Sequence, residues 1–258
     1  MPVVGILVVV GVSLLAAGGA IVLERLIPAK RREPHNDVFG FVYAVMGVLY
    51  AVILGMVMVT AWNRLDTARS DTYAESDALL QLYWYGQSLP QPQGAKVEEL
   101  AKEYATVVTK VEWPMLARKE ASPLAENLSI QLRALVQAQQ PTTPAAVARF
   151  QQALDQATTL GDARQARIDL AKDGISRLLT AGIVLGGVIT VGFAFLFGMK
   201  STRVHVLVMF SLTLLASFML LITYEFSFPF AGAANVGPEK FQLALHYMQV
   251  VGVPQGRQ

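Results

Sequence analysis

Residues 38–63 read VFGFVYAVMGVLYAVILGMVMVTAWN, twenty-six positions without one acidic or basic side chain. A helix needs about 20 apolar residues to cross a bilayer, so this stretch suffices for one span. The residues after it matter as much. Between Trp62 and Gly86 there is neither Pro nor Gly, while charge returns at Arg64, Asp66, Arg69 and Asp71. The spacing therefore predicts a single helix that leaves its apolar stretch and continues well beyond it.

Three further windows carry no Asp, Glu, Lys or Arg: 1–23, 178–199 and 204–224. All 21 basic and 19 acidic residues lie outside the four windows, so the 16% charged fraction averages an uncharged part and an ordinary mixed one. Backbone polar groups in lipid must be satisfied within the segment, which makes the windows helices. The expected fold is an all-α integral membrane protein, with four transmembrane helices and a helical bundle inserted between spans two and three. Its parts are membrane helices one and two with a short basic loop (1–63), the extramembrane insert (64–177), membrane helices three and four (178–225) and a C-terminal tail (226–258). Glu24-Arg25 follows the first window directly and no basic run precedes it, which predicts a retained span and not a cleaved signal peptide. The absence of Cys excludes a disulfide scaffold, and a net charge of +2 excludes nucleic acid as a partner. Membrane lipid is the expected surrounding.

Loop charge bears on orientation. Arg25, Lys30, Arg31, Arg32, Lys200 and Arg203 crowd the two short loops, which favours a cytoplasmic face for them and an external insert. On the insert side Arg64, Arg69, Arg164, Arg167, Lys172 and Arg177 nearly balance that count.

The insert has thirteen basic and fourteen acidic residues between Arg64 and Arg177, and its periodicity is helical. Val97, Leu100, Tyr104, Val107, Val111 and Met115 form one apolar stripe at steps of three and four; Leu124, Leu128, Leu132 and Leu135 form a second. Val147, Phe150 and Leu154 open a third. Breaks fall at Leu89-Pro90-Gln91-Pro92, Ser122-Pro123 and Gln140-Pro141, with Ser122 placed to cap the second helix and Thr143-Pro144 ahead of the third. Thr158 to Gly174 is expected to lead without a break into span three. Tyr73, Tyr83, Trp84 and Tyr85 read as seals between helices or interfacial side chains.

Span two carries the most informative faces. Gly47, Ala51 and Gly55 recur every four residues, giving a flat face for close helix packing, a theme repeated by Gly182 and Gly186 in span three. Tyr43, Gly47, Tyr50, Leu54 and Val57 mark an adjoining stripe, the candidate pore lining, with Asn63 and Arg64 at a candidate mouth. No acid or base lies in the middle of any span, which argues against proton-coupled pumping and leaves a passive conduit or a simple anchor. His205, at the start of span four, is expected at the interface.

Catalytic signals are absent from the sequence. His35, His205 and His246 are too scattered for a metal motif, and thiolate ligation is impossible without Cys. There is no nucleophile elbow, phosphate loop or dinucleotide fingerprint, so no enzyme, metal or cofactor is expected. His35-Asn36-Asp37 is the best polar cluster and reads as a helix cap ahead of a ligand site.

These same residues resemble a family. His35-Asn36-Asp37, Gly40-Phe41 and Gly47-Val48-Leu49-Tyr50-Ala51-Val52 are similar to the pattern of the bestrophin-like domain family of bacterial membrane proteins. The likeness continues through Trp62 and Asp66, the stretch from Glu75 to Pro90, Glu112-Trp113-Pro114, Phe195-Leu196-Phe197-Gly198, and Pro229-Phe230-Ala231-Gly232 with Pro238-Glu239. The resemblance implies a distant relation to bestrophins, oligomeric anion channels with four spans and a helical region between spans two and three. It further implies a multi-pass protein of the bacterial inner membrane, a homo-oligomer, and chloride or another small anion as partner. In bestrophins the inter-span region is cytosolic, opposite to the loop-charge reading. The calcium-binding acidic cluster of animal bestrophins has no counterpart here, and Ser227 stands where the family pattern has Asp before Pro-Phe. Two functions are thus in view: an oligomeric anion channel with span two at the pore, or a membrane-anchored scaffold or sensor whose helical insert binds a partner protein.

Overall fold

The computed structural model describes residues 2–232 and 234–251, and among them there is no strand. In chain order the elements are α1 (Pro2–Leu26), α2 (Ala29–Arg32), a 3-10 turn (Glu33–His35), α3 (Asn36–Gln87), α4 (Gln93–Val107), a π turn (Val108–Glu112), α5 (Trp113–Leu116), α6 (Pro123–Gln137), α7 (Pro144–Lys172), α8 (Arg177–Ala194), α9 (Thr202–Phe226) and α10 (Glu239–Val251). Four of these helices, α1, α3, α8 and α9, are long and apolar enough to cross a membrane. The 52-residue α3 confirms that the apolar stretch and the charged stretch after it form one helix. The expected continuity of α7 into α8 does not hold. Asp173 is extended (φ −93°, ψ 130°) and the helix restarts at Arg177, as the poor helix former Gly174 allows.

The chain divides into two compact units. The first contains α1, α2, α3 as far as Arg64, α8 and α9. Here α1 and α9 run antiparallel: Gly5 lies against Leu221, and Ala20 joins Met209 and Ala194 in a buried cluster with Tyr43, Phe195 and Val206 around it. A second cluster joins α3 to α8 through Leu54, Val57 and Ile183, flanked by Tyr50, Met219 and Leu220. His205, near the start of α9, is fully buried in this unit.

The second unit contains α3 from Leu65 onward, α4 to α7, and α10. Along α3 the buried positions Leu65, Ala68, Thr72, Glu75, Leu79, Leu82 and Gly86 alternate steps of three and four, and so do Ala153, Ala157, Leu160, Arg164, Arg167 and Ala171 on α7. The expected stripe on α4 holds through Val97, Tyr104 and Val107 and then fails. Val111 is 43% exposed, while Glu112, Trp113 and Leu116 are buried. The cause is the π turn, which inserts an extra residue and rotates the inward face by one position.

Ser122 caps α6 as expected, accepting from the Ala125 N–H, and Thr143 caps α7 by accepting from the Ala146 N–H. The inward face of α6 runs through Ala125, Leu128, Leu132 and Val136, leaving Leu124 half exposed. Val147 is exposed too; the buried stripe of α7 begins at Ala153. The segment read as a tail supplies α10, which buries Phe241, Ala244 and Met248 and receives hydrogen bonds from Tyr83 (to the Met248 carbonyl, 2.9 Å) and Ser76 (to the Lys240 carbonyl, 3.1 Å). Residues 252–258 of that segment lie outside the described residues.

Candidate functional site

The apolar stretch of α3 is the least covered of the four: 6% of its most apolar window is buried, against 17–22% in the others. Val48, Val52, Met56 and Val59 are more than half exposed, in helical steps of three and four. Beside them a Cβ placed on Gly47 or Gly55 would meet nothing within 4 Å, and Ala51 between them is exposed. Among the described residues, therefore, no helix of the protomer lies against the Gly47-Ala51-Gly55 face.

The other residues singled out on α3 are held by their own protomer. Tyr43 stacks on Phe193 (centroids 6.3 Å apart) and meets Phe197 edge-on at 5.5 Å. Tyr50 lies across α8, where a Cβ on Gly186 would come within 2.8 Å of its ring and one on Gly187 within 2.8 Å of its hydroxyl. Leu54 and Val57 are buried against Ile183. Gly186 thus accommodates Tyr50, whereas Gly182 has open space. At the far end Asn63 is exposed and Arg64 half-buried.

A polar staple holds the opposite end of this unit together. The Asn36 side chain bonds the backbone of Gly198 at both ends, donating to its carbonyl (2.8 Å) and accepting from its N–H (2.9 Å). The polar cluster read as a cap thus spans to another helix's terminus, with His35 and Asp37 exposed beside it. Arg32, 7% exposed, donates through Nη1 to the carbonyls of Phe195 and Phe197, both at 2.8 Å, and pairs with Glu24 through Nη2. Carbonyls at a helix C-terminus lack intrahelical partners and carry the negative pole, so a guanidinium there satisfies both needs. Gly198 is required by contact: a Cβ would stand 2.5 Å from the Glu33 nitrogen and 2.6 Å from the Ala29 oxygen.

The second unit holds a buried ionic core that the apolar stripes did not reveal. Arg167, fully buried, grips Glu75 at two points (Nε to Oε2 2.6 Å, Nη2 to Oε1 2.9 Å) and reaches Glu112 Oε1 at 2.7 Å. Arg164 binds Glu112 Oε2 at 2.7 Å and pairs with Glu126. The Tyr104 hydroxyl donates to Glu75 at 2.6 Å, and Trp113 lies under the Arg167 guanidinium at 5.1 Å. Burial pulls the Arg167 guanidinium down, but the Glu75 carboxylate, with Glu112 behind it, more than offsets that and holds it above its ordinary value. Burial, and then Glu75, push the Tyr104 hydroxyl well above the usual tyrosine range. Glu75 and the two arginines occupy core positions of otherwise apolar runs, which was the one signal in the sequence that could have found them. Among the described residues no group of three or more His, Cys, Asp or Glu is placed to hold a metal ion.

A family model described as Bestrophin-like domain matches residues 10–241. No curated protein matches. Among solved structures the chain is similar to a bacterial bestrophin homologue from Klebsiella pneumoniae at 12% identity and TM-score 0.69, covering 100% of both chains. A point variant of a Klebsiella pneumoniae bestrophin homologue gives 10% identity and TM-score 0.70 over 96% of this chain and 99% of that one. A third, a point variant of a membrane protein, gives 11% identity and TM-score 0.70 over 98% of this chain and 99% of that one. At these identities the likeness speaks for the fold alone.

Proposed function

The chain belongs to the Bestrophin-like domain family, and from that premise we propose that it assembles as a homo-oligomeric, anion-conducting channel in the bacterial inner membrane, with α3 facing the conduction path. One observation carries this reading: the apolar stretch of α3 is long enough to span a bilayer, free of charge, and uncovered along the Gly47-Ala51-Gly55 face. Small residues at a four-residue repeat suit close approach of another helix, here α3 of another copy. Copies arranged about an axis would bring the exposed Val48, Val52, Met56 and Val59 toward it, a hydrophobic constriction of the kind that gates by dewetting. Of the stripe read from the sequence, Gly47 stands on the open side, while Tyr43, Tyr50, Leu54 and Val57 fix the helix against its own protomer. Asn63 and Arg64 close the apolar stretch as the candidate mouth, where a guanidinium favours an anion.

Four helices long and apolar enough to cross a membrane, with the helical insert between the second and third, support this reading. The scaffold reading differs in what it requires: an insert that binds a partner and a membrane part that passes nothing. Chloride flux into liposomes holding the purified oligomer tests the proposal. Flux above that of protein-free liposomes is expected. Its absence from correctly assembled oligomers, over a range of pH and both membrane polarities, would leave the scaffold reading standing.

A further inference from the structure

Between α1 and α9 an open groove of about 580 Å³ is lined by Leu14, Ala17, Ile21, Val206, Leu207 and Phe210, with Thr202 and Arg203 at one end. Apart from Thr202 and Arg203 its lining is apolar. Leu14 to Ile21 and Thr202 to Phe210 each cover about 11 Å of helix, at about 1.5 Å per residue. A leaflet's hydrocarbon is about 15 Å deep, half of a core of about 30 Å, so the length of the groove matches most of one leaflet. Arg203 lies within the first turn of α9, where backbone N–H groups and the helix dipole already favour an anion. Arg25 stands one turn beyond Ile21 on the same stripe of α1, and both arginines are exposed. Among the described residues neither has a carboxylate partner, in contrast to Arg32, which is spent on Glu24 and on the end of α8.

We propose that this groove binds an anionic phospholipid, one acyl chain lying along Leu14, Ile21, Leu207 and Phe210 and the phosphate held between Arg25 and Arg203. The shape excludes a simpler ligand. A free phosphate has no use for an apolar trough one leaflet deep, and a zwitterionic lipid brings no net charge to two unpaired guanidiniums. A second copy is a poor occupant, because it would have to bring an acidic group to this end of the groove, and the loop between α1 and α3 is rich in basic residues. The site is separate from the α3 face and does not rest on conduction.

The test uses the purified oligomer in detergent with phosphatidylglycerol and phosphatidylcholine of identical acyl chains, added in equal amounts, and native mass spectrometry of what stays bound. Wild type should retain phosphatidylglycerol by about tenfold over phosphatidylcholine, and Arg25→Gln/Arg203→Gln should reduce that ratio to below about twofold at unchanged oligomer mass. Leu14→Trp/Leu207→Trp fills the trough from two exposed positions and should lower retention of both lipids. Inorganic phosphate should displace neither. An equal ratio in wild type, an unchanged ratio in the arginine variant, or displacement by inorganic phosphate would each overturn the proposal. Because the chain has no Cys, Leu207→Cys gives a single reactive site. A covalent dimer formed there by a short bismaleimide would assign the groove to a second copy instead, and no dimer is expected.

Discussion

Arg167 and Glu75 meet as a two-point ion pair with both side chains at 0% exposure, ninety-two residues apart in the chain. The pair ties α7 to α3, and the same guanidinium reaches Glu112 on the π turn. Breaking such a pair by removing one partner leaves a buried charge uncompensated, which costs about 3–5 kcal/mol, whereas replacing both partners by apolar residues is often near neutral. Glu75→Gln leaves Arg167 only Glu112, which Arg164 shares, and should destabilise the insert by about 3 kcal/mol. Glu75→Leu/Arg167→Met should lose much less than either single change, provided Glu112 keeps Arg164. Thermal unfolding in detergent checks both, and additive losses in the double variant would refute the coupling.

Tyr104 gives the same core a signature on the alkaline side. Its hydroxyl is held protonated in the folded state by burial and by Glu75, against the opposing pull of Arg167 and Arg164. A group whose folded pKa is raised contributes stability that is complete below its unfolded value, about 10 for tyrosine, and is lost as pH rises above it. Tyr104→Phe removes that titration at the loss of one hydrogen bond, about 1–2 kcal/mol at neutral pH. Stability measured from pH 7 to 11.5 should fall more steeply above pH 10 for wild type than for Tyr104→Phe. Parallel curves would mean that Tyr104 does not control the alkaline limb.

At the other end of the chain's long-range polar contacts, Asn36 and Gly198 bond each other twice across 162 residues. Asn36→Ala deletes both bonds, which should cost about 1–3 kcal/mol because the Gly198 backbone is left partly buried without them. Gly198→Ala should cost at least as much by overpacking, since its new Cβ meets backbone atoms that have no rotamer to move to. Arg32→Ala exposes the Phe195 and Phe197 carbonyls and strands Glu24. All three should loosen the end of α8, read as faster proteolysis after Phe195 or Phe197, with α1 and α9 unchanged.

How legible all this was in the sequence depends on the kind of contact. The length of α3 and the breaks at Pro90, Pro123 and Pro141 were readable because backbone chemistry is local. The inward faces of α4 and α5 were readable only as far as Val107, since nothing in VTKVE announces a π turn. The ionic core was hidden for a different reason: counting apolar residues alone assigns Glu75, Arg164 and Arg167 to the surface. Yet Glu75 falls between Thr72 and Leu79, and the two arginines between Leu160 and Ala171, in unbroken steps of three and four. That position marks them as inward-facing; which carboxylate each arginine meets depends on helices far apart in sequence. The stripe on α3 did not by itself separate the two faces of that helix, because Tyr43, Tyr50, Leu54 and Val57 are apolar or aromatic, and only their packing on α8 and its neighbours shows which face they use.

The open face of α3 and its contact with α8 make opposite predictions for glycine replacements. Gly47→Leu adds a side chain where the protomer offers no neighbour within 4 Å, so the fold of the single chain should survive. If that face meets α3 of another copy, the new side chain forces helices apart whose approach depends on small residues. Oligomer size in detergent should fall and chloride flux should vanish, with helical content and protomer stability near wild type. Gly186→Leu does the reverse: its Cβ enters the Tyr50 ring, so protomer stability should drop by about 1–3 kcal/mol before assembly is touched. Light scattering and thermal unfolding on the two variants separate these outcomes. A Gly47→Leu protein that keeps the wild-type oligomer mass and flux would remove α3 from the contact between copies and with it the main support for the channel reading.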